Sequence, residues 1–276
     1  MAVDWIIPLG TGSKSNNDEL RLLLRSLERH ARNLGRVVVV GDALPDWLTG
    51  VEVVRRGDPC PANKDANIID KVAQAVRDLK ITQFVFSADD NILLRDCDCE
   101  DMPVLRTERT QACFAPQAKL KEVKGKDGKS TPAAEVDWNR WRERVYRTFW
   151  LAEEWGVPMR NDYEAHAPQL YRDADLLLEG LKTVRYHSGA GYSICSLFRL
   201  IEGRAQGRPV EAQAHPFFKA TWEDAGLLAP PSPTQVFGGY NDDAFLAGLR
   251  GWLFAIYPQA SRYEADGGGE LDKCKQ

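Results

Sequence analysis

The chain has 276 residues, 43% hydrophobic and 28% charged, which are the proportions of a globular protein with a sizeable core and not of a disordered or fibrous one. A net charge of -4 excludes wholesale coating of nucleic acid but leaves room for a local basic groove. No apolar run is long enough to span a bilayer, and MAVDWIIPLG lacks the regions of a signal peptide, so a cytoplasmic setting without membrane insertion is expected.

The first hundred residues alternate between strand and helix signals. DWIIPLG is a short apolar strand that runs into the loop GTGSKSNN, after which Asp18 is placed to cap ELRLLLRSLERHARNLG, with Gly35 as its stop. RVVVVGD is a β-branched run of buried-strand type, VEVVRRG a shorter strand, NKDANIIDKVAQAVRDLK a second amphipathic helix, and QFVFSADD a fourth strand. Such alternation predicts an α/β fold, a Rossmann-like, mainly parallel sheet with helices on both faces.

The composition then changes. QAKLKEVKGKDGKSTPAAE is rich in Lys and Gly and is expected to be a mobile loop. VDWNRWRERVYRTFWLAEEWG reads as a helix, NDYEAHAPQLYRD as a strand with a turn, ADLLLEGLK and GAGYSICSLFRLIEG as helices, and PPSPTQVFGGYNDDAFLAGLRGWLFAIYP as a loop followed by a helix. One domain is expected over 1–262, with a nucleotide-binding half (1–101), an α-rich acceptor-binding half (102–262) and a disordered tail at 263–276, acting as a monomer. The six cysteines show no zinc spacing, since DCDCED puts one residue between its pair, and read as packing or surface thiols.

Three polar clusters fall at strand ends, where open parallel sheets bind ligands. The first is Leu9, Gly10, Thr11, Gly12 and Ser15; GTGSKS is too short for a Walker loop and lacks a dinucleotide fingerprint's third glycine, so a plain turn is the alternative. The second holds Asp42, placed to accept a sugar hydroxyl. The third is Asp89-Asp90, either a turn or a pair of hard oxygen ligands for Mg²⁺ or Mn²⁺ against a phosphate.

Lys64 and Asn67 are candidates to face a nucleotide, with Asn63 as a helix cap the competing economy. Two apart in a strand-like segment, Glu164 and His166 share a face on which Glu164 can act as base and His166 can complete a metal site. The alternative is a surface Glu beside a core His. His187 in RYHSGAGYS is a candidate diphosphate contact, and Asp242 in GGYNDDAF is either a cap for the last helix or a base.

PLGTGSKSNNDELRLLLRSLERH, VVVVGDALPDWL, NKDANIIDKV, FVFSADDNILL and NDYEAHAPQLY occur in this order. Together they resemble the blocks of a GT-A-type glycosyltransferase group of phages and bacteria related to the Stealth sugar-phosphate transferases. The matched positions are Asn17, Glu19, Leu20, Arg21, Leu24, Arg25, Ser26, Leu27 and Glu28, then Pro45 to Leu48, then Ala88-Asp89-Asp90 with Ala for the usual Asn, then Glu164, His166 and Pro168. The resemblance covers Pro8 to about Tyr171. It implies a GT-A-like fold and a nucleotide-sugar donor, such as a UDP-sugar. It also implies a divalent cation held by Asp89 and Asp90, with His166 read above as completing the site, donor contacts that include Ala88 and Asp89, and catalytic roles for Asp90 and Glu164; Asp242, outside the matched blocks, is a catalytic candidate from its own segment alone.

For the acceptor, the Lys-rich loop (Lys119, Lys121) and the helix with Trp138, Arg140, Trp141 and Arg144 interleave cation and aromatic, a pattern that suits phosphate contact and base stacking. With phage relatives, this points to a hydroxymethylated pyrimidine such as 5-hydroxymethylcytosine in DNA. The structural alternative is an amphipathic helix with its aromatics in the core. A sugar-1-phosphate transferase acting on a glycan, and a noncatalytic nucleotide- or DNA-binding protein, are the competing functions.

Overall fold

The structure is a computed structural model that describes residues 2–60, 63–115, 122–124, 129–132, 137–187, 191–214, 218–220, 235–240 and 242–265. In chain order the elements are β1 (Val3–Pro8), α1 (Asp18–His30), β2 (Ala31–Arg32), β3 (Leu34–Val40), β4 (Glu52–Val54), α2 (Lys64–Leu79), β5 (Phe84–Phe86), β6 (Asn91–Leu93), β7 (Cys97–Asp98) and β8 (Leu105–Arg106). There follow α3 (Gln111–Phe114), β9 (Glu122–Lys124), β10 (Ser130–Pro132), α4 (Asp137–Glu154), β11 (Gln169–Tyr171), α5 (Ala174–Lys182), α6 (Ile194–Gln206), β12 (Gln213–Ala214), β13 (Phe218–Ala220), β14 (Phe237–Tyr240), α7 (Asp242–Ala244) and α8 (Arg250–Ile256).

The main sheet has the order β11-β5-β1-β3-β4. Its inner pairings are parallel, and only β11 runs antiparallel, against β5. This is the mainly parallel, Rossmann-like α/β sheet that the strand–helix alternation predicts. Because successive side chains point to opposite faces, one face carries Trp5, Ile7, Val37, Val39 and Val85 against Leu20, Leu23, Leu24 and Leu27 of α1. The other carries Ile6, Val38, Val40, Phe84 and Phe86 against α2, α5 and α6. Both faces are covered, which explains why RVVVVGD is apolar throughout instead of alternating.

Several local expectations are corrected. Asn17, in the left-handed region at φ 58°, precedes the first turn of α1, so Asp18 lies inside that turn and pairs with Arg21 and Arg250. α1 ends at His30, and the chain reverses at Asn33 (φ 55°). Gly35 does not stop the helix; it allows β3 to pass β1, since a Cβ there would meet Asp4 Oδ1 at 2.8 Å. PTQVFGGY, expected to be loop, contains β14, which pairs antiparallel with β6. The C-terminal helix is interrupted by a π turn over Phe245–Leu249, with Gly248 at φ 134°.

The domain also reaches past residue 262. Leu48 bridges Glu264, the Ala265 N–H donates to the Trp47 carbonyl, and the buried Glu264 carboxylate accepts from Arg21 and Arg25, each at 2.8 Å. Tyr263 to Ala265 are therefore part of the fold; the remainder of the expected tail lies outside the described residues. Among the described residues, no helix is long and apolar enough to cross a membrane.

Candidate active site at the strand-order switch

From β1 the chain steps outward through β3 to β4, then returns across α2 to place β5 on the other side of β1. The order reverses between β1 and β5, the kind of position at whose carboxyl edge open parallel sheets take ligands. The segments Leu9 to Asn17 and Ser87 to Asp90 follow these two strands at that edge. β11 is antiparallel to β5, with Gln169 opposite Phe86, so the segment leading into it, Glu164 to Pro168, reaches the same edge. β14 pairs with β6, with Gly239 opposite Asn91, and this delivers Tyr240 and Asp242 to the same place.

Asn91 holds the acidic turn together. It is buried, its amide Nδ2 donates to Asp90 Oδ1 at 3.2 Å and to the His166 carbonyl at 3.3 Å, and its Oδ1 accepts from the Ala88 N–H at 3.3 Å. The sequence has Ala88 where the resembling group has Asn. Asn91, on the far side of the acidic pair from Ala88, places a side-chain amide on Asp90. In the sequence, one Asn after two Asp reads only as part of the turn.

Asp89 is half-buried, and its pKa is pushed up to about 6 by burial first, then by Glu19 and Asp242. Lys64 and the residue's own backbone N–H pull the other way. Glu19, in the first turn of α1, accepts from Ser15 Oγ at 2.5 Å and Ser13 Oγ at 3.1 Å, which ties the β1 loop to the acidic cluster. Lys64, Glu19, Asp89, Asp90 and Asp242 are thus electrostatic neighbours, although sequence reasoning assigned no role to Glu19 beyond its match to a block.

Glu164 and His166 are not in a strand. The segment before β11 is irregular, and His166 lies in the left-handed region at φ 43°, so the expected shared face is absent. Glu164 instead points at the N-terminus of α6, where its Oε1 accepts from the Ser196 N–H at 3.1 Å. Burial first, then Asp65 and Asp162, push its pKa up to about 7 against those helix donors. Arg109 fixes the segment by donating to the Asp162 carboxylate and, at 2.9 Å, to the Glu164 carbonyl.

Other expected donor contacts are placed as follows. Gly10, Thr11 and Gly12 are exposed at the end of β1, and a Cβ at either glycine would meet open space. The Leu9 side chain is in the core, and its carbonyl accepts from the buried Lys71 Nζ at 2.9 Å. Asp42 is exposed after β3 and lies against Gly57, where a Cβ would come within 2.5 Å of its Oδ2.

Asn67 is withdrawn from the nucleotide: it is buried, and its amide is spent on the N–H and carbonyl of Cys60. Asn63 caps α2 through the Ala66 N–H and also holds the Tyr186 carbonyl. That bond keeps the exposed His187 near the start of α2, with its Nδ1 3.9 Å from Cys60 Sγ.

On α4 the acceptor reading loses Arg144. It is fully buried, with Nε 3.0 Å from the buried Asp65 carboxylate. Trp141 is half-buried, edge-on to Phe114 and under the Arg109 guanidinium, and the half-buried Arg140 pairs with Glu143 at 3.5 Å. Lys119, Lys121 and the side chain of Trp138 lie outside the described residues.

Among the described residues, no three His, Cys, Asp or Glu side chains converge as a ready-made metal cage, so Asp89, Asp90 and His166 do not form one. The donor chemistry nevertheless fits a hard cation. Asp89 and Asp90 supply two carboxylates, Glu19 and Asp242 add negative charge, and Mg²⁺-type sites commonly take one or two carboxylates and draw further ligands from phosphate and water.

No family model matches the chain, and no curated protein does. Among solved structures, the fold is similar to that of the WbbM bifunctional glycosyltransferase in its apo form, at a TM-score of 0.40 and 13% identity, over 98% of this chain and 46% of that one. The chain therefore spans about half the length of that structure.

Proposed function

We propose that the chain is a glycosyltransferase that moves a sugar from a nucleotide-sugar donor, such as a UDP-sugar, to an acceptor hydroxyl with the help of a divalent cation. The observation that carries this reading is the gathering of carboxylates at the strand-order switch. Asp89, Asp90, Glu19 and Asp242 gather where a parallel sheet takes nucleotides, and Asp89 is held well above the ordinary carboxylate range by burial and by its acidic neighbours. A cation bound to Asp89 and Asp90, Mn²⁺ or Mg²⁺, would neutralise the departing diphosphate.

The exposed loop from Gly10 to Ser15, with Asp42, lines the nucleoside half, and Lys64 faces the phosphates. Glu164, with a pKa of about 7, suits a general base at neutral pH. It takes the proton of the acceptor hydroxyl while that oxygen bonds the sugar C1 and the C1–O bond to diphosphate breaks.

The burial of Arg144 and the packing of Trp141 remove two of the contacts that favoured a DNA acceptor. A hydroxymethylated pyrimidine in DNA and a glycan are accordingly two arms of one test. The protein is incubated with mixed UDP-sugars, Mn²⁺, and either hydroxymethylcytosine DNA or oligosaccharides, and the products are identified by mass spectrometry. Release of nucleoside diphosphate with a glycosylated acceptor is the expected result. Transfer of an intact sugar phosphate would move the protein to the Stealth-like class, and donor binding without turnover would make it a noncatalytic binder.

A further inference from the structure

The last residue of β14 is a buried polar group that the mechanism above does not use. Tyr240 is 2% exposed, and its ring stacks on Phe245 with centroids 5.0 Å apart and planes 10° apart, inside a cluster with Leu22, Ile92 and Leu249. Among the described residues its hydroxyl has no hydrogen-bond partner. A buried phenol without a partner is unfavourable, and a ligand that offers an acceptor there would satisfy it.

The surroundings say what kind of partner. Burial first, then the charges of Asp90, Glu19, Asp89 and Asp18, hold the Tyr240 hydroxyl well above its ordinary pKa, so it remains a donor throughout the working range. The charged groups that act on it are all acceptors, none of them is its hydrogen-bond partner, and most have partners of their own. Asp18 pairs with Arg21 and Arg250, Glu19 accepts from Ser13 and Ser15, and Asp90 accepts from Asn91. The result is a lone donor at the edge of a negatively charged cluster that a cation would draw together.

We propose that Tyr240 is a positioning residue for a divalent cation at the Asp89-Asp90 turn, its hydroxyl donating to an oxygen in the coordination shell. That oxygen belongs to a ligating carboxylate when the cation is bound alone, or to a phosphate once a nucleoside diphosphate is present. The inference rests on the reading of this edge as a cation and diphosphate site. It is separable from that reading because Tyr240→Phe keeps the ring and its stack and removes only the donor.

The test is Mn²⁺ binding to the intact chain, followed by the electron paramagnetic resonance of free Mn²⁺, with and without UDP. Tyr240→Phe is expected to raise the Mn²⁺ dissociation constant about tenfold or more, the usual cost of losing an outer-shell partner. The metal-free melting temperature should not fall, and the substitution should add nothing in an Asp89→Asn background. Equal Mn²⁺ affinities for the wild type and Tyr240→Phe, with and without UDP, overturn the inference and leave the functional reading standing. Failure of the wild type to bind Mn²⁺ overturns both. Should Tyr240→Phe not fold, 3-fluorotyrosine placed at position 240 gives the same answer: its fluorine resonance moves on addition of Mg²⁺ if the hydroxyl meets the shell, and stays put if the group is only structural.

Discussion

Two acidic regions of this molecule bury carboxylates in opposite ways. At the C-terminal staple, Glu264 is bound by Arg21, Arg25 and the Ser261 N–H. Burial alone would raise its pKa, but these partners outweigh burial and hold it below the ordinary range. At the strand-order switch, Asp89 and Glu164 are pushed up to about 6 and about 7, with acidic neighbours and few compensating cations. Charge used to hold the fold is paired, whereas a carboxylate held above its ordinary range is a candidate for binding or catalysis.

The strongest way to break this comparison is to exchange the behaviour of the two regions. Glu264→Ala leaves two buried guanidiniums without their carboxylate and should destabilise the fold by about 3–5 kcal/mol, read from denaturant unfolding. Asp89→Asn should do the reverse: stability equal to the wild type or higher, while transfer falls several hundredfold, roughly the contribution of a cation that can no longer be held. A destabilised Asp89→Asn with normal turnover would make the acidic turn structural and erase the distinction.

Glu164 sharpens the comparison because it accepts at the N-terminus of α6 while Asp65 and Asp162 press on it as acidic neighbours. If it is the base, kcat should rise with pH through about 7, and Glu164→Gln should lower kcat on the order of a hundredfold and flatten that limb. If it is only a cap, Glu164→Gln keeps an acceptor for the Ser196 N–H and the pH profile does not change.

What could be read from the sequence follows from how local each signal is. The β1-α1-β3 and α2-β5 units show in hydrophobic periodicity because each element buries one face against its immediate neighbours. Asp89-Asp90 shows because paired carboxylates after an apolar strand are conspicuous. The rest of the site is assembled over long distances. Asn91 is given meaning by His166, Tyr240 by a strand pairing between β14 and β6, and Glu264 by arginines on α1.

Arg144 misled for the same reason. An arginine among aromatics on a helix looks like a nucleic-acid contact until Asp65, on a different helix, is seen to hold it. Strand β14, Phe237–Tyr240, has two glycines that carry a turn signal stronger than its strand signal. Its glycines are there for close approach: a Cβ at Gly239 would come within 3.0 Å of the His166 carbonyl.

The smallest expected effect is also the most direct comparison of the two regions, because their pH dependences have opposite signs. Asp89 and Glu164 have folded pKa values of about 6 and about 7, above their ordinary values, so the folded state binds more protons than the unfolded chain. Their contribution to stability is fully present below the ordinary carboxylate pKa and is lost as pH rises through about 6 and 7. Glu264, with its pKa lowered, contributes stability above the ordinary value and loses it as pH falls through the folded value. From mildly acidic to slightly alkaline pH, the paired group is therefore silent and the unpaired groups set the slope. The melting temperature of the cation-free protein should fall by a few degrees as pH rises across that interval. Asp89→Asn should remove part of the fall, and saturating Mn²⁺ should offset it most at the alkaline end, where the carboxylates are ionised and bind the cation best. Differential scanning fluorimetry in chelator and in Mn²⁺ measures all three curves. A melting temperature that climbs with pH over this interval would mean that the acidic edge is compensated after all, and that the two regions are alike.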